Sequence, residues 1–295
     1  PDPTCLSINC QAGDNVTACR NGSAGYVLCM TEESLFNLAA LIGFAPLIVV
    51  SLRMEATTRL VMFALLGATA AGVSSTFILH IESGWRADLG NALLATVAST
   101  LVLAAAISLF RPLMNRYLFL LSPYLFVVCC LGIALTGTNP VSASYHATDI
   151  SVPVHIGFSL ATYAMLTLAA MAALGATLKE RALKLRRSGF AASRLPAVTE
   201  SENFLIRLLI GAEVLLLAGL ITGSILSFNR AGVAFPLDHK TLLSVLAFLV
   251  IGTLIVLHRS VGMRGKLAAR LVLIAWILLT LGYPGVKFVT ELLLT

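Results

Sequence analysis

Residues 153–178 read PVHIGFSLATYAMLTLAAMAALGATL, a run of 26 residues without Asp, Glu, Lys or Arg. A helix needs about 20 apolar residues to cross the hydrocarbon core of a bilayer, so this run predicts a transmembrane helix. Seven further apolar runs are each long enough to span, at 34–52, 59–80, 88–110, 117–136, 204–228, 241–258 and 268–294. The pattern predicts an all-α, polytopic integral membrane protein with about eight transmembrane helices.

The overall composition supports this class. Of the 295 residues, 58% are hydrophobic and 12% are charged, and the mean hydropathy is +0.92. Soluble domains carry about 25% charged residues, so this chain has too few polar side chains to cover a soluble globule. Cytosolic enzymes, nucleic-acid readers and disordered chains are therefore excluded. A membrane β-barrel is disfavoured too, because its strands are alternating segments of about 10 residues.

Residues 1–33 are polar and rich in turn residues, and they precede the predicted eight-helix domain, 34–295. Four of the six cysteines lie in this N-terminal segment: Cys5, Cys10, Cys19 and Cys29. Such a cluster predicts two disulfides in an oxidising compartment, with three possible pairings. Metal binding is the weaker alternative, because the segment has no C-x-x-C spacing. Cys129 and Cys130 lie within an apolar run and are expected to be free packing residues.

The basic residues predict the orientation, because Lys and Arg concentrate in cytoplasmic loops. With the N-terminus outside, 15 of the 20 basic residues fall in inner segments, and the other five fall outside. A leader removed ahead of Pro1 would place the N-terminus on the same side. We therefore expect a multi-pass protein of the bacterial cytoplasmic (inner) membrane with both termini outside. The basic connection 179–203 is expected inside, where it either marks the topology or contacts anionic headgroups.

Under this orientation four of the five histidines lie at the outer face, namely His80, His146, His155 and His239, while His258 lies inside. Histidine is a common ligand of metals and of haem iron. Two histidines at the outer ends of two helices would bind one haem from opposite sides. The alternative is an interfacial histidine hydrogen-bonded to a loop, which is favoured for His80 and His146 and stays open for the other two. Without a C-x-x-C-H motif, covalent haem attachment is not expected.

Charged residues within the apolar runs are costly in a membrane and often functional. Glu213, in LLIGAEVLLLAGL, is expected to face another helix as a protonated acid, a proton-relay group or a packing partner. In the last run Tyr283, Lys287 and Glu291 recur every four residues and share one helix face. Lys287 and Glu291 are therefore expected to pair near the outer surface.

The second half of the chain carries the most specific patterns. VHIGFSLATYAMLTLAAMAALGATLKERAL, at 154–183, is similar to the fifth-helix signature of the cytochrome c assembly protein family, haem-handling membrane proteins of the CcsA and HemX type. Further matches follow in order, and their specific parts are HKT-x-LS at 239–244, the G-x-RG turn at 262–265 and KFV-x-E at 287–291. Together with SGWRADLGNALL before and in the third helix, they look most like the HemX/YpjD branch. The resemblance covers about residues 58–294 and is strongest over 153–294.

The resemblance implies an eight-helix membrane fold, haem handling and a role in cytochrome assembly. In this family histidines at the outer face ligate haem, and the matching positions are His155 and His239. They are the predicted ligands of haem iron, with Lys240 placed to meet a propionate and the pair of Lys287 and Glu291 lining the same side. Short connections around the sixth helix make the fifth, sixth and seventh helices near neighbours, so the two histidines are expected to approach each other.

Two departures from the family pattern concern haem delivery. Members that deliver haem to apocytochrome carry a tryptophan-rich outer segment, whereas this chain has only Trp85 and Trp276. Those members also have an outer histidine at the end of the last helix, where this chain has Leu294 or its neighbours. The resemblance therefore implies a protein that binds or chaperones haem, and the fold is unaffected.

The favoured function is a haem-handling membrane protein of cytochrome c assembly type that holds haem b at the outer membrane face. The alternative is a non-catalytic accessory subunit of a larger respiratory or photosynthetic membrane complex, docked through residues 1–33. No catalytic triad, phosphate loop or hydrolytic metal site is recognisable, so an enzyme is not expected. The expected partners are membrane lipid, haem, and a larger membrane complex or cytochrome assembly partner, and no nucleic acid.

Overall fold

The computed structural model describes residues 10–13, 16–21, 25–30, 32–53, 59–82, 89–135, 151–186, 194–233, 238–262 and 265–285. Three strands come first: β1 (Cys10–Gly13), β2 (Val16–Asn21) and β3 (Gly25–Met30). Eight α-helices follow: α1 (Glu32–Arg53), α2 (Arg59–Glu82), α3 (Leu89–Phe110), α4 (Leu118–Leu135), α5 (Ser151–Lys184), α6 (Val198–Ala231), α7 (His239–Ser260) and α8 (Lys266–Thr280). A 3₁₀ turn, Pro112–Tyr117, precedes α4, and a π turn, Leu281–Gly285, follows α8.

The N-terminal segment contains a small antiparallel sheet in the order β1-β2-β3, which the polar, turn-rich sequence did not predict. Each strand is short, and such strands are stable only when several of them pair. The register sets Cys10 directly opposite Cys19, and Cys29 opposite Thr17. Directly opposed residues have Cα atoms about 4.5–5.5 Å apart, a spacing that suits a disulfide. The two disulfides stay a prediction, since Cys5 lies outside the described residues.

The eight helices form two rings of four. Helices α1 to α4 pack in chain order, and their ring closes where α1 meets α4. Helices α5 to α8 repeat this arrangement, and their ring closes where α5 meets α8. Contacts of α3 and α4 with α5 join the two rings. The second ring is the part of the chain with the strongest family resemblance, and the candidate site residues of the helical region lie there or just beyond it.

Small residues let α5 pack closely on its neighbours. Its buried positions include Thr162, Ala164, Thr167, Ala169, Ala170, Ala172, Ala173, Gly175 and Ala176. Small side chains allow the close backbone approach that van der Waals packing requires inside a membrane. A Cβ added at Gly175 would lie 2.9 Å from the ring of Tyr117, and one at Gly211 would lie 2.7 Å from the methyl group of Met165.

The last turn of α1 lies at the same end of the bundle as three connections: the one from α3 to α4, the one from α5 to α6 and the one from α7 to α8. The Arg194 guanidinium donates to the carbonyl of Ser51 at 2.7 Å, which joins the α5–α6 connection to α1. The Tyr117 hydroxyl donates to the Ser201 hydroxyl at 2.8 Å, which joins the 3₁₀ turn to α6. We call this end the basic end, because most Lys and Arg residues lie in its connections or in the adjoining ends of the helices. The opposite end, where α5 and α7 begin, is called the histidine end.

The G-x-RG turn between α7 and α8 depends on its two glycines. Gly262 and Gly265 have φ of 69° and 73°, a left-handed region that favours glycine. The backbone N–H of Gly265 donates to the Glu202 carboxylate at 3.0 Å, so the turn is fastened to the first turns of α6. Nothing in the sequence spacing singles out Glu202, because its partner lies 63 residues away.

The residues that the structure describes contain the predicted eight helices, whereas the number of membrane spans is supported in part. Five of the described helices are long and apolar enough to cross a membrane: α3, α4 with its 3₁₀ turn, α5, α6 and α7. Helices α1 and α2 contribute shorter apolar stretches, Asn37–Leu52 and Val61–Ser75, and α8 has 15 residues. Eight spans stay a prediction.

Helices α5 and α6 are longer than the apolar runs predicted. Each has 34 residues, which is about 51 Å at 1.5 Å per residue. They extend beyond a hydrocarbon core of about 30 Å, mostly at the basic end. The predicted connection 179–203 is therefore helical at both of its ends, since α5 continues to Lys184 and α6 begins at Val198. Charged residues ended the apolar pattern there but did not end the helices.

Candidate functional site

His155 lies early in α5, at the histidine end, and its ring faces α6. Nδ1 lies 3.1 Å from the carbonyl oxygen of Gly219 and 3.2 Å from the hydroxyl oxygen of Thr222. A backbone carbonyl can only accept, so we assign the ring proton to Nδ1. The Thr222 hydroxyl donates to the carbonyls of Ala218 and Gly219, at 2.9 and 3.1 Å, which leaves its oxygen as an acceptor for the ring. These bonds set both the orientation and the tautomer of His155.

The imidazole occupies space that exists because residue 223 is glycine. A Cβ added at Gly223 would lie 2.9 Å from Cε1, 3.4 Å from Nδ1 and 3.7 Å from Nε2 of His155. One turn earlier, a Cβ at Gly219 would meet Phe158 at 3.9 Å, an ordinary contact. Among the described residues the hydrogen bonds of the ring all involve Nδ1, so Nε2 is the nitrogen left for a ligand.

His239 is the first residue of α7 and is exposed, as are its neighbours Asp238 and Lys240. Asp238 caps the helix, because its carboxylate accepts the N–H of Thr241 at 2.9 Å. Hydrogen bonds from Thr241 lower the pKa of the Asp238 carboxyl. The structure brings His155 and His239 to one end of one helical ring, on α5 and α7, which both pack against α6. No hydrogen bond joins them in the described part of the chain, and their approach to each other stays a prediction.

Lys287 and Glu291 lie outside the described residues, and the π turn leads toward them. A Cβ added at Gly282 would lie 3.4 Å from the Cβ of Leu243 and 4.0 Å from the carbonyl oxygen of Lys240. The chain therefore leaves α8 beside the first turn of α7. Within the described ranges, no group of three or more His, Cys, Asp and Glu side chains is arranged to hold a metal ion.

Glu213 lies near the middle of α6 and faces α7. One of its carboxylate oxygens would lie 3.0 Å from a Cβ added at Gly252. The other oxygen is buried and has no hydrogen-bond partner among the residues that the structure describes. The prediction that Glu213 faces another helix is therefore confirmed.

A polar and aromatic cluster that the sequence did not predict joins α4, α5 and α8. The Trp276 indole N–H donates to the Thr167 hydroxyl at 3.1 Å, and the hydroxyl oxygens of Tyr163 and Thr280 lie 3.3 Å apart. Tyr124 meets Trp276 edge-on, with ring centroids 6.0 Å apart. The sequence did contain one signal: Tyr163 and Thr167 on α5, and Trp276 and Thr280 on α8, are four residues apart, which puts the two side chains of each pair on one helix face. Only the packing shows that these faces meet.

Comparison with known proteins agrees with this architecture. The family model described as cytochrome C assembly protein matches residues 32–294, which include all eight helices. An uncharacterized 28.8 kDa protein in the nifR3-like 5′ region of Azospirillum brasilense is 44% identical over 225 residues, which cover 76% of this chain and 83% of that protein. Inner membrane protein YpjD of Escherichia coli (strain K12) is 29% identical over 172 residues, which cover 58% of this chain and 63% of that protein. The three-stranded sheet lies ahead of the region that the family model matches.

Both Cys129 and Cys130 lie in α4 and are free thiols, as the sequence predicts. Cys129 is fully buried between helices, where a thiol acts as a small packing group. The other four cysteines lie in residues 1–33, where the two disulfides stay a prediction.

Proposed function

Because the chain belongs to the cytochrome c assembly protein family, whose members handle haem, we propose that it binds haem b at the histidine end of the α5–α8 ring. In this proposal His155 would ligate the iron. The observation that carries it is the hydrogen bond between His155 Nδ1 and the Gly219 carbonyl, at 3.1 Å. Metal-ligating histidines commonly donate their other ring N–H to a carbonyl or carboxylate, which fixes the tautomer and raises the basicity of the ligating nitrogen.

The surroundings of His155 fit this role. With the proton on Nδ1, the lone pair on Nε2 is available, and a neutral imidazole is the form that coordinates a metal. Thr222 supports the ring from a second direction, and Gly223 leaves room for it. These residues orient the ring before any ligand arrives, so little conformational freedom is lost on binding.

His239 is the proposed second ligand, and Lys240, Lys287 and Glu291 are the proposed polar lining around the propionates. Haem would supply an iron for the two histidines to ligate, and two propionates that favour nearby cations. The exposed position of His239 and Lys240 at the start of α7, beside the π turn, supports this set. The missing C-x-x-C-H motif supports non-covalent haem b.

The histidine end is proposed to face outward from the bacterial cytoplasmic membrane. The concentration of Lys and Arg at the opposite end supports this orientation, and one relative is named an inner membrane protein. On this orientation the N-terminal sheet and its two proposed disulfides share an oxidising compartment with the haem site.

Optical spectroscopy tests the proposal. The protein is purified in mild detergent from haem-supplied cells, and reduced-minus-oxidised spectra are recorded for wild type, His155→Ala and His239→Ala. His258→Ala is the matched control, because His258 lies in the last turn of α7 at the basic end. We expect a haem spectrum in wild type and the control, and its loss or shift in the other two variants.

A haem spectrum unchanged by both replacements would contradict the ligand assignment. An apoprotein that takes up no haem, yet purifies with a larger membrane complex, would favour the accessory-subunit function instead.

A further inference from the structure

Glu213 packs against Gly252 inside the bundle, and this contact is independent of the haem proposal. Glu213 is the 16th of 34 residues in α6, and Gly252 is the 14th of 22 in α7, so the contact lies midway along both helices. We propose that Glu213 is a proton-binding site within the membrane, with its carboxyl held against Gly252 in the neutral, protonated form.

The two carboxyl oxygens carry this inference. The first lies 3.0 Å from where a Cβ at Gly252 would be, so the carboxyl fills the gap that glycine leaves in α7. The second is buried without a hydrogen-bond partner among the described residues. An ionised carboxylate is very unfavourable in such a place, because a buried charge needs a countercharge or several donors. Protonation removes the charge and lets the group remain between the helices.

No described cation is placed to neutralise Glu213. Helices α5 and α7 pack against α6, and on α5 the neighbouring side chain is Met165, which meets Gly211. The Tyr163 hydroxyl is paired with Thr280 on α8 instead. The closest basic side chains along the three helices are six or more residues from this level: His155, which bonds at Gly219, and Arg207, His239, Lys240, His258 and Arg259.

Carbodiimide labelling of the full-length protein in membranes tests the site. Dicyclohexylcarbodiimide is apolar and reacts with protonated acids: the acid proton passes to a carbodiimide nitrogen while the carboxyl oxygen adds to the central carbon, so no group leaves. We expect peptide mass spectrometry to find the adduct on Glu213 in wild type. Labelling should be lost in Glu213→Gln, and should fall about tenfold for each pH unit above the pKa of the group.

Two glycine variants sharpen the test. Gly252→Ala places a methyl group 3.0 Å from the Glu213 oxygen and should slow the labelling several-fold. Gly67→Ala, in α2, has no atom within 4 Å of the new methyl group and should leave the rate unchanged. Glu213→Gln should keep the wild-type melting temperature, because an amide resembles the neutral acid in shape and charge.

Two results would overturn the proposal. The first is a wild-type protein in which Glu213 stays unlabelled at acidic pH. The second is a Glu213→Gln variant that melts well below wild type, since this would show that the native site holds an ionised carboxylate with a partner.

Discussion

A methyl group added at Gly223 tests how closely His155 packs on α6. The new Cβ would lie 2.9 Å from Cε1 and 3.4 Å from Nδ1 of the ring, inside the usual carbon contact distance of about 3.5–4.0 Å. The ring must therefore move away and lose its bonds to Gly219 and Thr222. Overpacking costs about 1–3 kcal/mol, and each lost hydrogen bond costs about 0.5–1.5 kcal/mol. Alanine recovers up to about 1 kcal/mol of helix propensity, so with two hydrogen bonds lost we expect a net loss of about 1–6 kcal/mol.

The assay is a double-mutant cycle read by unfolding in detergent. Gly223→Ala is measured alone and together with His155→Ala, which removes the ring. The coupling between the two changes should be about 1–3 kcal/mol, because the methyl group has nothing to displace once the ring is gone. Gly219→Ala is the matched control one turn away, where the new Cβ meets only an ordinary contact at 3.9 Å.

The haem spectrum provides a second measurement on the same variants. Gly223→Ala should lose or shift the signal, because the ligating ring is displaced, whereas Gly219→Ala should retain it. If Gly223→Ala lowers the free energy of unfolding equally in wild type and in the His155→Ala variant, the packing argument is refuted.

Three further predictions concern other parts of the bundle. Asp238→Ala should destabilise the protein by about 0.5–2 kcal/mol through loss of the α7 cap. Hydrogen bonds from Thr241 lower the folded-state pKa of Asp238. The extra stability of wild type over Asp238→Ala should therefore be complete above the unfolded pKa of about 3.9 and disappear as the pH falls through the lower folded pKa. Melting curves recorded against pH measure this difference. Trp276→Phe should cost about 0.5–1.5 kcal/mol in thermal unfolding, because the Thr167 hydroxyl loses its indole donor. A cysteine introduced at Ser188, between α5 and α6, should react with an impermeant thiol reagent only from the cytoplasmic side, and labelling from outside would reverse the proposed topology.

The helix boundaries show how much local information the sequence contains. The apolar runs at 59–80, 88–110 and 117–136 match α2, α3 and α4 to within two residues. These helices end where the apolar run ends, because the hydrocarbon core accepts only uncharged segments of sufficient length. Helices α5 and α6 depart from this rule at the basic end, where water solvates their charged side chains and lets each helix continue.

The candidate site shows where local information stops. Histidine spacing and the family resemblance singled out His155, but nothing local to it predicted that Gly219, Thr222 and Gly223 would surround its ring. The indole of Trp276 and the carboxylate of Glu202 likewise found partners more than 60 residues away. Each of these contacts depends on which faces of the helices pack against each other, and the local sequence does not specify those faces.

The sequence by itself determined the class of protein, the eight helices and their alternating direction, because hydropathy and charge act on each segment separately. Only the tertiary structure decided that the helices close into two rings of four, that α6 supports the ring of His155, and that Gly252 lies opposite Glu213. The physical reason is that helix rotation and packing distance inside a bilayer are set by small residues and hydrogen bonds between helices, while apolar side chains face lipid and protein almost equally well.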